Sequence, residues 1–289
     1  IHETYQQRTF FPTPQHENLL ICTSGVGAGK AFSTLILDKV PCHDLLDKTQ
    51  CFPLYYYTEN KGEGASTLFA QAQGAGWERH DGVSDAFLAA VRTRLGNGAL
   101  TLTKEDVFYY VYGLLHSPSY RARFANELRK ELARIPLVAS VDEFQAFSQA
   151  GRALAELHLH YEAYAHQARK VAGVVVEERE GNSADAYVYY AVEKMRFPSK
   201  EHRTTIHYNA HITIEDIPLA AYDYVVNGKS AIEWVMERYM VKIDKNSGIK
   251  NDPNLWSREQ GQPRYILDLL LSVIHVSLET MKIVKGLPS

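Results

Sequence analysis

The sequence predicts an α+β fold: strands in the N-terminal region, a helical middle, a later strand-turn-strand region and a long C-terminal helix. Three observations carry this reading. Short apolar, β-branched runs bounded by Gly, Pro and Asp fill the first third. Apolar residues at helical spacing, preceded by capping residues, fill the middle. The order shows no regular strand-helix-strand alternation, so a doubly wound parallel sheet is not expected.

In chain order, Asn18–Thr23, Phe32–Leu37 and Cys51–Tyr57 read as strands. From Thr58 to Ser84 the chain turns to Gly, Ala, Gln and charge, which reads as a long exposed loop. Thr103 and Asp106 form a capping-box pair ahead of the stripe Val107, Phe108, Val111, Tyr112, Leu114 and Leu115. Ser117 precedes Pro118, a residue tolerated at the first helical position, and Tyr120, Phe124, Leu128 and Leu132 then predict a helix running to about Arg134. Ser140 and Glu143 open another helix, with Phe144, Phe147, Leu154 and Leu157 on one face. Strands are expected again at Tyr187–Lys194 and Arg203–Ile214, a turn at Asn227-Gly228, a short helix capped by Ser230 and Glu233, and a last long helix from Pro263. Residues 1–83 are strand-rich, residues 84–172 helical, and residues 173–289 strand-turn-strand and helical, all read together as one domain, 1–289. The chain begins at Ile1 rather than Met and reads as a fragment of something larger.

Lys and Arg total 31 and Asp and Glu 34, a formal charge of −3 that excludes a uniformly basic, histone-like binder but leaves room for a local basic face. Hydrophobic content of 45% argues against disorder. Cys22, Cys42 and Cys51 include no C-x-x-C pair, which argues against a disulfide framework or a cysteine zinc site and fits a reducing cytoplasm. The most apolar stretch, Tyr265–Val284, carries Asp268, His275, Glu279 and Lys282, so a core helix is expected rather than a membrane span.

Candidate chemistry is sparse. Ser24–Ala31 follows a strand and contains Gly29-Lys30, but a phosphate-binding loop requires Gly where Ser24 stands and Ser or Thr where Ala31 stands. A flexible turn is the expectation, with a nucleotide-binding enzyme using Gly25–Lys30 as the weakest alternative. Asn251-Asp252-Pro253-Asn254 distantly resembles the loop with which amino-methyltransferases hold a flipped base, but lacks its second Pro and its aromatic. An Asp-Pro turn ahead of a helix is expected instead. His207 and His211 would share a strand face, without a carboxylate at ligand spacing to complete a metal site. No catalytic centre is expected.

Local charge is more informative. Lys194–His211 holds four Lys or Arg against one Glu, with three His and with Tyr and Phe nearby, the side chains that a groove-reading strand-turn-strand needs. Arg196, Lys200, Arg203 and His207 are the first candidates for DNA contact. Lys194, Thr205 and Asn209 come second, and Lys30 and Arg8 are candidate phosphate contacts. Arg92–Arg134 is also basic, eight against four, but its arginines alternate with Glu127 and Glu131 as on a solvated helix face.

The strings ENLLICTSG (17–25), QCFPLYYY (50–57), YVYGLLHSPSYRARF (110–124), YDYVVNGKSAIEWVMERY (222–239), GIKNDPNLW (248–256) and PRYILDLLLSVIHVSLETMKI (263–283) resemble the C-terminal specificity region of Type ISP restriction–modification enzymes. The resemblance implies a target recognition domain that is not catalytic alone. It would bind double-stranded DNA at a short asymmetric site and present the target adenine to an adjacent methyltransferase domain of the same chain. It would also license ATP-dependent translocation and cleavage by further domains. S-adenosylmethionine, ATP and Mg would belong to those other domains, with no cofactor in this one and no membrane partner. It further implies that shared strings such as YVYGLLHSPSY are scaffold, and that base readers lie in Thr58–Asp85, Val174–His211 and Lys242–Lys250. The alternative of another class is a docking module that holds the methyltransferase without reading DNA.

Overall fold

A computed structural model describes residues 7–59, 76–179 and 185–288. The chain forms two compact units, one of residues 1–159 with 283–289 and one of residues 160–282.

In the first unit a short helix α1 (Gln7–Phe10) precedes a three-stranded antiparallel sheet of order β2-β1-β3: β1 (Leu20–Thr23), β2 (Thr34–Leu37) and β3 (Gln50–Pro53). All four residues of β1 are buried, as a central strand covered on both faces requires, which is why its sequence runs apolar without alternation. Register pairs Ile21 with Ile36 and Phe52, and Cys22 with Leu35 and Cys51. The Cys22 and Cys51 Sγ atoms lie 3.5 Å apart as free thiols. The thiol contact with Cys51, with burial, pushes the Cys22 thiol up.

The expected single strand Cys51–Tyr57 is two. β4 (Tyr55–Glu59) leaves β3 at Leu54 and pairs with β5 (Trp77–Asp81) in a separate antiparallel sheet. Asn18 causes the change. Its buried amide accepts from Leu19 N and Tyr55 N and donates to Phe10 O and Tyr55 O, diverting the chain after Pro53. β4 and β5 also enter the expected loop 58–84, of which residues 60–75 lie outside the described residues.

Helix α2 (Asp85–Leu95) starts at the Ser84 cap. The Thr103–Asp106 capping box opens α3 (Lys104–His116), and Ser117 caps α4 (Pro118–Arg123) with Pro118 in its first turn, both as expected from the sequence. The run does not continue to Arg134. It stops at Phe124, resumes briefly as α5 (Glu127–Lys130), and leaves Leu132 exposed. Tyr120 Oη donates to Arg134 O at 2.8 Å, a bond that a continuous helix, carrying residue 134 about 21 Å along its axis, would forbid. Helix α6 (Val141–Leu159) then packs on α3. A Cβ on Gly113 would stand 2.2 Å from Phe147 O, and one on Gly151 1.9 Å from Tyr109 O, so the two backbones touch through glycine. Tyr110 stacks on Phe144 beside this crossing.

The second unit opens with α7 (Ala165–Val171). A three-stranded antiparallel sheet of order β6-β8-β7 follows, from β6 (Val175–Glu178), β7 (Ile206–His207) and β8 (Ile212–Glu215). The expected strand Tyr187–Lys194 is instead the one-turn helix α8 (Ala186–Tyr189), capped by Asp185, followed by irregular chain. Carbonyls 189, 190 and 191, which a strand would give to a ladder, accept from the Asn209 amide and the Tyr208 hydroxyl. Strands β9 (Val225–Val226) and β10 (Lys229–Ser230) flank Asn227 and Gly228, whose φ of 52° and 86° make the tight turn expected there. The Ser230–Glu233 capping box opens α9 (Ala231–Arg238), and a hairpin of β11 (Lys242–Ile243) and β12 (Lys250–Asn251) follows. After it come α10 (Asn254–Glu259), placed behind the Asp252-Pro253 turn as expected, and α11 (Tyr265–Lys285). Ile266, Leu267, Leu270 and Ile274 of α11 share one core with Ile206, Ile212, Ile214 and Tyr208. Among the described residues no helix is long and apolar enough to cross a membrane.

Candidate nucleic-acid interface

The β6-β8-β7 sheet has one buried and one open face. Ile206 and Val176 both oppose Ile214 on the core side. On the other side His207 opposes Thr213 and Thr213 opposes Glu177. Arg196 extends this row beyond β7: its N–H and C=O exchange bonds of 3.0 and 2.9 Å with His207. Directly opposed residues of an antiparallel pair project to the same face. Arg196, His207, Thr213 and Glu177 therefore form one transverse row.

At the Arg196 end lies a cleft of about 710 Å³ lined by Glu193, Lys194, Arg196, His207, Asn209 and His211, with Val188, Ala191, Phe197, Pro198 and Ala210. Four sequence candidates thus converge: Lys194, Arg196, His207 and Asn209. Lys194, Arg196 and His207 are exposed, and neither Lys194 nor Arg196 makes an ion pair with a described residue. Lys200 is exposed in the adjoining turn, where Ser199 Oγ donates to Glu201 and accepts from His202 N. Thr205 Oγ1 lies 3.3 Å from His202 Nε2, outside the cleft lining.

Two candidates are held by the fold itself. The Asn209 amide donates to Tyr189 O and Ala191 O and accepts from His211 N and Ile212 N, which uses its full capacity and shapes the cleft floor. Arg203 Nη2 lies 2.5 Å from Glu233 Oε1, and its guanidinium covers Tyr222 at 4.5 Å and Phe197 at 5.2 Å. Tyr222 Oη in turn donates to Arg203 O at 2.7 Å. Burial pushes the Tyr222 phenol up, against the pull of the nearby guanidinium. Composition marked Arg203 as a groove residue; its geometry is that of a strut.

The sequence did not single out the Tyr189–His211 stack, 5.4 Å between centroids and 15° between planes, which backs His211, a residue of the cleft lining. The side chains are separated by 22 positions, so nothing local signals the pair. His207 Nδ1 instead lies 3.5 Å from Thr213 Oγ1, and no metal-holding cluster occurs among the described residues.

Arg8 sits exposed on α1 and Lys30 exposed in the Gly25–Lys30 turn, both in the first unit and away from the cleft residues in sequence. That turn is not a phosphate cradle. Gly25 N donates to Asp47 O, Gly27 N to Arg129 O, Ala28 N to Gly25 O, and Gly29 N to the Asp47 carboxylate at 2.7 Å. A phosphate would have to displace the Asp47 carboxylate from Gly29 N and main-chain carbonyls from the other three donors, and the following residues enter β2 rather than a helix. The nucleotide-binding alternative is thereby corrected. Of the proposed reading segments, residues 60–75 and 180–184 lie outside the described residues.

Residues 2–269 match the model of the Type ISP C-terminal specificity domain. No curated protein matches the chain. Among solved structures it is similar to the ATP-dependent Type ISP restriction–modification enzyme LlaBIII bound to DNA, with 37% identity, a TM-score of 0.81, and coverage of 100% of this chain and 17% of that one. It is also similar to a nuclease-deletion mutant of the Type ISP enzyme LlaGI in complex with a DNA substrate mimic, at 36% identity and TM-score 0.75, covering 98% and 22%. A DrdV–DNA complex matches at 31% identity and TM-score 0.77, covering 100% and 26%. The chain spans between 17% and 26% of the length of these three.

Proposed function

Because this chain belongs to the Type ISP C-terminal specificity domains, we propose that it recognises a short asymmetric site in double-stranded DNA. The observation that carries the reading is the row Arg196–His207–Thr213 opening onto a cleft with Lys194 beside it. Cationic side chains without an ion pair to any described residue, on a rigid sheet edge, suit both phosphate contact and hydrogen bonding to guanine edges. The DNA complexes of LlaBIII, LlaGI and DrdV support it. Arg196, His207, Lys194 and Lys200 are the proposed contacts. Thr205, Lys30 and Arg8 stand as outlying ones, and Arg203 and Asn209 position the rest.

In the longer enzyme this recognition presents an adenine to an adjacent methyltransferase domain and licenses ATP-driven translocation and cleavage elsewhere. S-adenosylmethionine, ATP and Mg act in those domains, in the cytoplasm, and this domain contributes no bond-making step. The test is selection from short duplexes with a randomised centre. Wild type should enrich one sequence. Arg196→Ala should relax one position of it. Lys194→Ala with Lys200→Ala should weaken all duplexes alike and lower the salt slope by about one for each phosphate no longer neutralised. No enrichment by wild type refutes the proposal.

A further inference from the structure

The β11–β12 hairpin is the most exposed ordered feature of the second unit. Every residue from Lys242 to Asn251 is exposed, including Ile243 at 64% and Ile249 at 69%. It is nonetheless well built. Asp244 N–H bonds Ile249 O, Gly248 N–H bonds Asp244 O, and the Asp244 carboxylate accepts from Asn246 N, Ser247 N and Ser247 Oγ. Gly248 supplies the positive φ of 70° that closes the turn. Ile243 stands opposite Lys250 and Ile249 opposite Asp244, so each broad face of the ribbon shows one isoleucine.

Its roots are fixed to the candidate cleft. Val241 N–H donates to Glu193 O at 2.9 Å, and the Asn254 side chain both accepts from Val192 N and donates to Val192 O. Residues 192 and 193 lead directly into Lys194, so the ribbon springs from the strip that carries the cleft cations. Its charge is three lysines against one aspartate whose carboxylate is committed to the turn. A two-stranded ribbon fits the major groove of duplex DNA, where thymine offers the only apolar group on a base edge.

We propose that the hairpin Lys242–Asn251 is a second DNA-reading element, seated in the major groove beside the cleft, with one broad face, and so one of Ile243 and Ile249, against a thymine C5-methyl group and Lys242 and Lys245 at phosphates. The proposal rests on the DNA-recognition reading above. It is tested by comparing wild type with I243A/I249A, whose side chains are exposed, on duplexes selected by wild type from a pool with a randomised centre. The double variant should bind the selected duplex about fourfold more weakly for the thymine methyl it no longer touches, and the unselected pool equally well. Remaking the selected duplex with deoxyuridine for thymidine should weaken wild type similarly and leave the variant unchanged. K242E/K245E should weaken every duplex alike. If I243A/I249A selects the wild-type sequence with wild-type affinity, the hairpin is not a reader and DNA recognition by the cleft stands. A loss of affinity that is the same on uracil and thymine duplexes overturns the methyl contact. If wild type selects no sequence, recognition itself falls, and the hairpin with it.

Discussion

Arg203 separates two accounts of the basic segment. The structure pairs it with Glu233, the two side chains 33% and 36% exposed, and lays it over two rings. A pair at this exposure contributes about 0.5 kcal/mol, because solvent screens it and two side chains must be ordered. Each cation–π contact adds ~0.5–1 kcal/mol. Arg203→Ala should therefore destabilise the second unit by about 2 kcal/mol, a fall in melting temperature of roughly 8 °C for a unit of this size. Arg203→Lys keeps the charge opposite Glu233 but loses the planar stack, so it should recover less than half of the loss. Thermal unfolding followed by circular dichroism reads both values. Melting temperatures of Arg203→Ala and wild type within about a degree, together with a loss of sequence preference on duplex DNA, would refute the strut assignment and restore Arg203 as a base reader.

Other perturbations test the scaffold. Gly151→Ala drives a Cβ into the Tyr109 carbonyl at 1.9 Å, so α3 and α6 must separate; a loss of at least ~3 kcal/mol in urea unfolding is expected. Asn18→Ala strips four backbone groups of their partner where β3 gives way to β4 and should cost about 2–4 kcal/mol by the same assay. His116 and His158 are both buried. Burial, with Arg121 and His158 nearby, holds His116 far below the usual imidazole range, and burial alone takes His158 to about 3. Their depressed folded values mean that the neutral rings stabilise fully above pH ~6.5 and that this stability drains away as pH falls toward 3. Melting temperature should drop from pH 7 to pH 5, and less so in His158→Gln. Titrating ATP and Mg into the chain should release no heat of binding at Gly25–Lys30, where the N–H groups of Gly25, Gly27, Ala28 and Gly29 already have acceptors.

What the sequence disclosed was local. The capping boxes at Thr103 and Ser230, Pro118 behind its Ser117 cap and the Asn227-Gly228 turn are decided by residues within four positions of one another, and all are where the sequence put them. What it hid depends on distant partners. Asn18 splits a strand by holding Tyr55, Tyr120 reverses a helix through Arg134, and Asn209 turns Tyr187–Lys194 out of a ladder by taking its carbonyls. The cleft was half legible for the same reason. Charge located Lys194 and Arg196, whereas the diversion of Arg203 depends on Tyr222 and Glu233, 19 and 30 positions away. The ring of His211 likewise finds its partner only because Asn209 folds the chain back on Tyr189.

The Asn209 amide has one further consequence. It binds the cleft floor wholly through main-chain atoms, two carbonyls and two N–H groups that any residue supplies. The side chains at 194, 196 and 207 project from that frame without helping to hold it. Their chemistry is thus uncoupled from folding. Under the proposed reading such a surface is rewritable: replacing those three residues should alter what the cleft selects at little expense in stability, and gives a library built on this domain a natural place to vary.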